Sequence, residues 1–156
     1  MRKEINVRFA GEAGQGIAGA SYLLGKVATR CGYHVYSYND AESRVRGGLN
    51  FNHLRIGIAP AEGVTVRTDV LVALSQPAMD RFSDLLSPGG VLLCAQDWEF
   101  EGCAPFFLGP LAEESGSAKT AGTVGVAVVC ALLGLGEEKL HSLVEERFRE
   151  RGKILA

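Results

Sequence analysis

The chain has 156 residues, 47% of them hydrophobic and 22% charged, which is the balance of a folded globular unit and excludes a disordered segment. That length predicts a single compact domain over 1–156. With 16 basic against 18 acidic residues and a net charge of −2, no general attraction to nucleic acid or anionic lipid is expected.

In chain order, "INVRFA" (5–10) is rich in β-formers and predicts a strand that runs straight into the glycine-rich stretch "GEAGQG". Ile17, Ala20, Leu24, Val27, Ala28 and Cys31 then fall at helical spacing, with Gly32 where a helix commonly ends. "YHVYSY" (33–38) follows directly as a second strand, a short helix-to-strand link typical of a parallel βαβ unit. Residues 39–48, "NDAESRVRGG", are polar and predict a loop at the carboxyl end of that strand. "LNFNHLRIGI" (49–58) alternates apolar and polar side chains, as a strand with two unlike faces does, and "DVLVAL" (69–74) is the continuous apolar run of a doubly covered central strand. A helix over about 77–87 starts on Pro77 and is stopped by Pro88-Gly89-Gly90 before the strand "VLLCA". A short strand over 105–108, a one- or two-turn helix, an apolar helix over about 121–134 and an amphipathic helix over 137–152 complete the chain. Gly122, Gly125, Ala127 and Ala131 are small enough to let the apolar helix lie close to the sheet. The fold class predicted is α/β, an open, mostly parallel sheet with helices on both faces, in the manner of a Rossmann-like three-layer sandwich.

Cys31, Cys94, Cys103 and Cys130 are widely spaced and form no CxxC pair, so they are expected to be reduced core thiols rather than ligands of a metal or iron–sulfur cluster. The start of the chain lacks the uninterrupted apolar stretch of a signal peptide, and the longest apolar run falls short of the roughly 20 residues that span a bilayer. A cytoplasmic protein with no membrane or nucleic-acid partner is expected. Ser21, Ser37 and Ser43 have no nucleophile-elbow context, and His34, His53 and His141 fall on strands and a surface helix, so no catalytic residue and no metal site is assigned.

Two stretches carry more information. The dinucleotide fingerprint reads G-x-G-x-x-G, whereas Gly11, Gly14 and Gly16 have the spacings reversed, and no G-x-x-x-x-G-K-[ST] is present. The physics that remains is general: glycines permit positive φ and close backbone approach, and a helix beginning near Ile17 aims N–H groups at whatever lies over the turn, whether phosphate, carboxylate or a partner's carbonyl. A tight turn with only a packing role stays open on spacing alone. The second stretch, "ESRVRGG", puts Glu42, Arg44 and Arg46 before Gly47-Gly48; the arginines can hold carboxylate or phosphate bidentately, with Glu42 fixing one guanidinium. The alternative is a solvated charged loop whose ion pair is worth little. Ligands of open α/β sheets sit beyond the carboxyl ends of the strands, and both loops are expected to emerge there, facing one another.

"GEAGQG" after the first strand, with "ESRVRGGLNFNHLRI" about 30 residues later, resembles the gamma subunit or gamma-type domain of the 2-oxoacid:ferredoxin oxidoreductases, a group that includes the pyruvate, ketoisovalerate (branched-chain), 2-oxoglutarate and indolepyruvate enzymes. The resemblance runs through "TDVLVAL", the PGG turn and the helix ending "ALLGLG". By matching position, Gly11, Gly14, Gln15 and Gly16 correspond to the family's first loop, and Glu42, Arg46, Gly47 and Gly48 to its acid-x-x-x-R-G-G element; Arg44 joins them as a candidate. Ala13 stands where relatives often have glycine, Leu49 where they have a small residue or histidine, and "KTAGTVG" lacks an asparagine found near the start of that helix. The family's gamma–alpha fusions run on beyond the point where "RGKILA" stops.

The resemblance implies an enzyme that oxidatively decarboxylates a 2-oxoacid on thiamine diphosphate, passes electrons through iron–sulfur clusters to ferredoxin and delivers the acyl group to coenzyme A, as part of anaerobic metabolism. This chain has neither an iron–sulfur cysteine cluster nor a thiamine diphosphate motif, so it is expected to bind none of those cofactors alone and to be inactive in isolation. What is expected of it is assembly with alpha, beta and ferredoxin-like delta partners, and part of the coenzyme A side of the active site. Two other readings stay open. One is a stand-alone dinucleotide binder, with Asp40 near the ribose; the other is a purely structural interaction module.

Overall fold

The computed structural model of the chain describes residues 4–41, 48–98, 100, 105–117 and 120–149. Six strands form one sheet in the order β2-β3-β1-β4-β5-β6, where β1 is Glu4–Glu12, β2 His34–Ala41, β3 Leu49–Gly57, β4 Thr68–Ala73, β5 Leu86–Cys94 and β6 Phe106–Phe107. The helices are α1 (Ile17–Arg30), α2 (Gln76–Phe82), α3 (Gly109–Glu114), α4 (Ala121–Leu133) and α5 (Glu137–Arg149), with a 3-10 turn at Ser83–Leu85. Strands β1, β4, β5 and β6 pair in parallel, while β3 runs antiparallel to both β1 and β2. The sheet is therefore mixed. Strands β1 and β2 share a direction, as a βαβ unit requires, but β3 is inserted between them.

Alternation along the strands divides two layers. Val7 and Phe9 of β1, Leu54 and Ile56 of β3, and Val70 and Val72 of β4 face α1, α4 and α5. The small residues of α4 do what their sequence predicts: a Cβ on Gly125 would lie 2.9 Å from Val72 Cγ1, so the helix rests directly on the sheet. The opposite face holds Ala10, Leu71, Ala73, Leu92 and Cys94 under α2, whose Ala78, Met79 and Phe82 are buried.

Beyond α2 that second face turns polar. The Arg8 guanidinium sits over the Phe51 ring at 4.7 Å and the Phe82 ring at 5.0 Å, and its Nε donates to His53 Nδ1 at 3.2 Å. An arginine donates only, so Nδ1 of His53 is the acceptor and the ring carries its proton on Nε2, 3.5 Å from Asn6 Oδ1. Asn6 in turn donates from backbone and side chain to Asp69 Oδ2 at 3.0 and 3.2 Å. Burial, then the charges of Arg8 and Arg55, push the His53 pKa down to about 4, so the ring is neutral. Burial also lowers Arg8. For Asp69 burial acts upward, but the hydrogen bonds from Asn6 and Ser87 and the charge of Arg67 together hold the carboxyl below its ordinary range. Residues 58–67 strap this face: Arg55 Nη1 donates to the carbonyls of Glu62 and Gly63 at 3.1 and 2.6 Å, and the Tyr38 hydroxyl donates to the carbonyl of Thr65.

Two boundaries differ from the sequence reading. Strand β2 continues to Ala41, three residues past the predicted end, because β3 is long enough to pair with all of it. Pro88-Gly89-Gly90 lies within β5 rather than before it: Leu86 already pairs with Thr68, and the extra residues are absorbed as an irregularity with Gly89 at φ 74°.

Candidate functional site

The glycine turn is built as its sequence demands. Gly14 and Gly16 adopt φ 90° and 80°, which side chains with a Cβ rarely tolerate, and a Cβ at either would meet nothing within 4 Å, so the backbone lies open. Gly16 is also the N-cap of α1 and, as a glycine, supplies no side-chain cap hydrogen bond. Gln15 ties the turn down. Its Oε1 accepts from the Glu12 N–H at 2.7 Å, and its Nε2 donates to the Leu74 carbonyl at 2.9 Å, so one amide clamps the end of β1 to the end of β4. Gly11 makes room for it: a Cβ there would collide with the Gln15 side chain and lie 3.0 Å from Leu74 Cβ.

That clamp sits at the topological switch point. From β1 the chain crosses by α1 on one face toward β2, whereas from β4 it crosses by α2 on the other face toward β5. The connections that leave β1 and β4 consequently diverge beside a crevice of about 520 Å³, lined among others by Gly14, Gln15, Leu74, Gln96, Glu113 and Gly122. At the same rim Ser75, 6% exposed, is the N-cap of α2, yet its hydroxyl caps nothing and has no hydrogen-bond partner among the described residues. Sequence reasoning passed over Ser75, because nothing in "ALSQP" distinguishes a free hydroxyl from a capping one.

Of the second predicted loop, Glu42, Arg44, Arg46 and Gly47 lie outside the described residues. Its anchors do not. Ala41 pairs with Asn50 across β2 and β3, Leu49 pairs with Glu12 across β3 and β1, and Gly48 is buried. The loop thus leaves and re-enters the sheet beside the glycine turn. Between these anchors and the turn is a polar pocket of about 380 Å³, lined by Gly14, Gly16, Asn39, Asp40, Asn50 and Asn52. Asp40 lines that pocket, but β3 separates its strand from β1, whereas in a dinucleotide fold the acidic residue's strand adjoins the glycine turn.

Two of the described cysteines lie far from forming a shared site. Cys94 of β5 is buried in the layer under α2, and Cys130 of α4 in the layer on the opposite face of the sheet. Burial raises the Cys130 thiol to about 11. No group of three or more His, Cys, Asp or Glu side chains able to hold a metal occurs among the described residues, and no described helix is long and apolar enough to cross a membrane.

The sequence pattern of the family described as pyruvate ferredoxin/flavodoxin oxidoreductase matches residues 6–156. The chain belongs to this family. Among curated relatives it is 32% identical over 160 residues to ketoisovalerate oxidoreductase subunit VorA of Methanothermobacter thermautotrophicus, covering 97% of this chain and 34% of that protein. It is 35% identical over 104 residues to 2-oxoglutarate synthase subunit KorC of Methanocaldococcus jannaschii, covering 62% of this chain and 52% of that one. The chain thus spans about a third to a half of the length of these two relatives. Among solved structures, the gamma subunit of a keto/oxoacid ferredoxin oxidoreductase from Geobacter sulfurreducens has a TM-score of 0.75 at 25% identity, covering 92% of this chain and 86% of that one. The 2-oxoglutarate:ferredoxin oxidoreductase from Magnetococcus marinus, solved with 2-oxoglutarate, coenzyme A and succinyl-CoA bound, shares the fold with a TM-score of 0.81 at 22% identity, covering 98% of this chain and 28% of that one. This member of the family is a gamma-type domain, and its relatives are subunits of 2-oxoacid oxidoreductases.

Proposed function

We propose that this gamma-type domain works inside an assembled 2-oxoacid:ferredoxin oxidoreductase, where it joins alpha, beta and delta modules and forms part of the wall against which coenzyme A is held. The observation that carries this reading is the open glycine turn clamped by Gln15 at the β1/β4 switch point, beside a crevice of about 520 Å³. In this reading Gly11 and Gln15 hold the turn in shape, Gly14 and Gly16 let an anionic or carbonyl group approach the backbone, and Glu42, Arg44, Arg46, Gly47 and Gly48 supply the facing rim. In this reading iron–sulfur clusters and thiamine diphosphate belong to partner modules, in keeping with Cys94 and Cys130 being buried on opposite faces of the sheet, and ferredoxin accepts the electrons in the cytoplasm. The reaction chemistry is supplied by those cofactors. This chain's own residues position, exclude water and hold anionic groups.

The test is reconstitution. Alpha and beta partners with this chain are expected to reduce a low-potential dye with a 2-oxoacid in a coenzyme A dependent manner, and the chain alone to be inert. Hydrogen exchange on the assembled complex is expected to show coenzyme A protection over residues 11–16 and 42–48. Full activity with the chain omitted would overturn the reading; activity that needs the chain but leaves those segments unprotected would reduce its role to assembly.

A further inference from the structure

The two edges of the sheet are unlike. At one end β6 has two residues, too short to recruit another strand. At the other, β2 runs eight residues, "HVYSYNDA", paired with β3 throughout without a register shift, and carries no proline, glycine, lysine or arginine. Natural monomers blunt such an edge with those residues, with a bulge or with a covering segment. Among the described residues nothing covers this one: Ser37 and Asn39 are exposed and Val35 is half-buried.

The direction of the free backbone groups follows from the ladder. The Leu74 N–H donates to the Ala10 carbonyl and the Asn6 N–H to Asp69, so even-numbered residues of β1 turn their backbone groups toward β4 and odd-numbered ones toward β3. Through the pairing register of the sheet, even residues of β3 then face β1 and odd ones face β2, and the pairs that bond β2 to β3 are His34↔Gly57, Tyr36↔Arg55, Tyr38↔His53 and Asp40↔Phe51. Val35, Ser37 and Asn39 are left with their N–H and C=O groups on the open edge.

We propose that β2 is an interface between two copies of this chain, pairing antiparallel about a twofold axis through Ser37. In that register Ser37 faces Ser37 and Val35 faces Asn39, the three outward residues of each copy meeting as hydrogen-bonded pairs. The intervening, closer pairs are Tyr36 with Tyr38 and His34 with Asp40, all on one face of the sheet. The match is self-complementary in charge as well as shape, because each Asp40 carboxylate accepts from a His34 ring N–H at both ends of the interface. Centring the axis on Tyr36 or Tyr38 loses that pairing. The surroundings agree. Among the described residues, five of the eight exposed large hydrophobics gather about β2: Tyr22 across the groove from Val35 and Ser37, Tyr33 before the strand, Ile58 after β3, and Val64 and Val66 flanking the Thr65 carbonyl held by Tyr38. The inference rests on the ladder, its charge match and its apolar surroundings, and is independent of the proposed enzymatic role.

Sedimentation of the 156-residue chain tests it. Wild type is expected at twice 16.6 kDa and Ser37→Pro at 16.6 kDa, because a proline at 37 removes an outward N–H and no bond to β3, leaving the circular dichroism unchanged. His34→Asp sets like charges opposite each other twice and is expected to weaken the dimer about tenfold. Ser37→Cys puts two Cα atoms at about 5.5 Å and is expected to form an intermolecular disulfide on mild oxidation, which Glu114→Cys on exposed α3 does not. A monomeric wild type, a dimer indifferent to Ser37→Pro, or a Ser37→Cys that links no faster than the control each overturns the proposal. If the chain is monomeric and Ser37→Pro instead blocks joining to an alpha or beta partner, the edge takes a partner's strand and the second copy is ruled out.

Discussion

Gln15 shows how a residue picked out for one reason can act for another. Its place in "GEAGQG" marks it by resemblance as part of a loop, but only coordinates reveal that both ends of its amide are used inside the chain, on Glu12 and Leu74. Gln15→Met keeps the length and loses both bonds, so it is expected to lower stability by about 1–2 kcal/mol, read from the urea midpoint, since the two backbone groups it served lose their partner. No change would mean that water serves them equally well. The positive φ of Gly14 and Gly16 was legible, because a glycine turn between strand and helix has few other geometries. The Arg8–His53 pair was not legible: an apolar–polar alternation in "INVRFA" says that Arg8 leaves the apolar face, not that two aromatic rings and a histidine bury it on the other. Since burial and then Arg8 depress His53, Arg8→Met is expected to raise the ring's pKa from about 4 toward, but not to, 6.5, followed by the His53 ring proton shift in NMR. A pKa that stays put would show that burial and the remaining charges set it without Arg8.

At the scale of elements the sequence specified which segments exist better than which ones touch. Periodicity and turn signals located the helices and strands of the described residues, with the α2–β5 boundary misplaced by about a turn, because they report each element's own faces. They were silent on the insertion of β3, since the antiparallel neighbour of a strand leaves no mark in that strand's alternation. The glycines of helices separate the same way. Gly125 and Gly25 both sit inside helices, yet a Cβ on Gly125 would lie 2.9 Å from Val72 Cγ1, while one on Gly25 makes an ordinary 3.5 Å contact with Leu54. Gly125→Ala is therefore expected to cost about 1–3 kcal/mol by overpacking α4 against the sheet. Gly25→Ala is expected to stabilise by up to about 1 kcal/mol through helix propensity alone. Thermal midpoints moving in the same direction for both would mean that propensity, not the α4 contact, decides.

For the whole molecule, the two faces of the sheet give stability a bounded pH range. His53 binds its proton at about 4 when folded and at 6.5 as a free ring, so between those values the unfolded chain holds more protons and stability rises with pH. Glu4, held down by the Arg55 hydrogen bonds, and Asp69 act in the same direction but only below the ordinary carboxylate range, so the loss above pH 5 belongs to His53. On the other face Cys130 keeps its proton to about 11 against 9.0 in the unfolded chain; there the folded state holds the extra proton, and stability falls as pH rises through that interval. Urea unfolding in reducing buffer is expected to give a plateau between about pH 7 and 8.5, about 2 kcal/mol lost by pH 5 and about 1 kcal/mol by pH 10. Cys130→Ala should flatten the alkaline limb and leave the acid one, because the thiol and the imidazole lie in separate layers with the sheet between them. A stability unchanged from pH 7 to pH 5 would show that His53 is reached by water in the folded chain, and with it that the strap of residues 58–67 does not close the polar face.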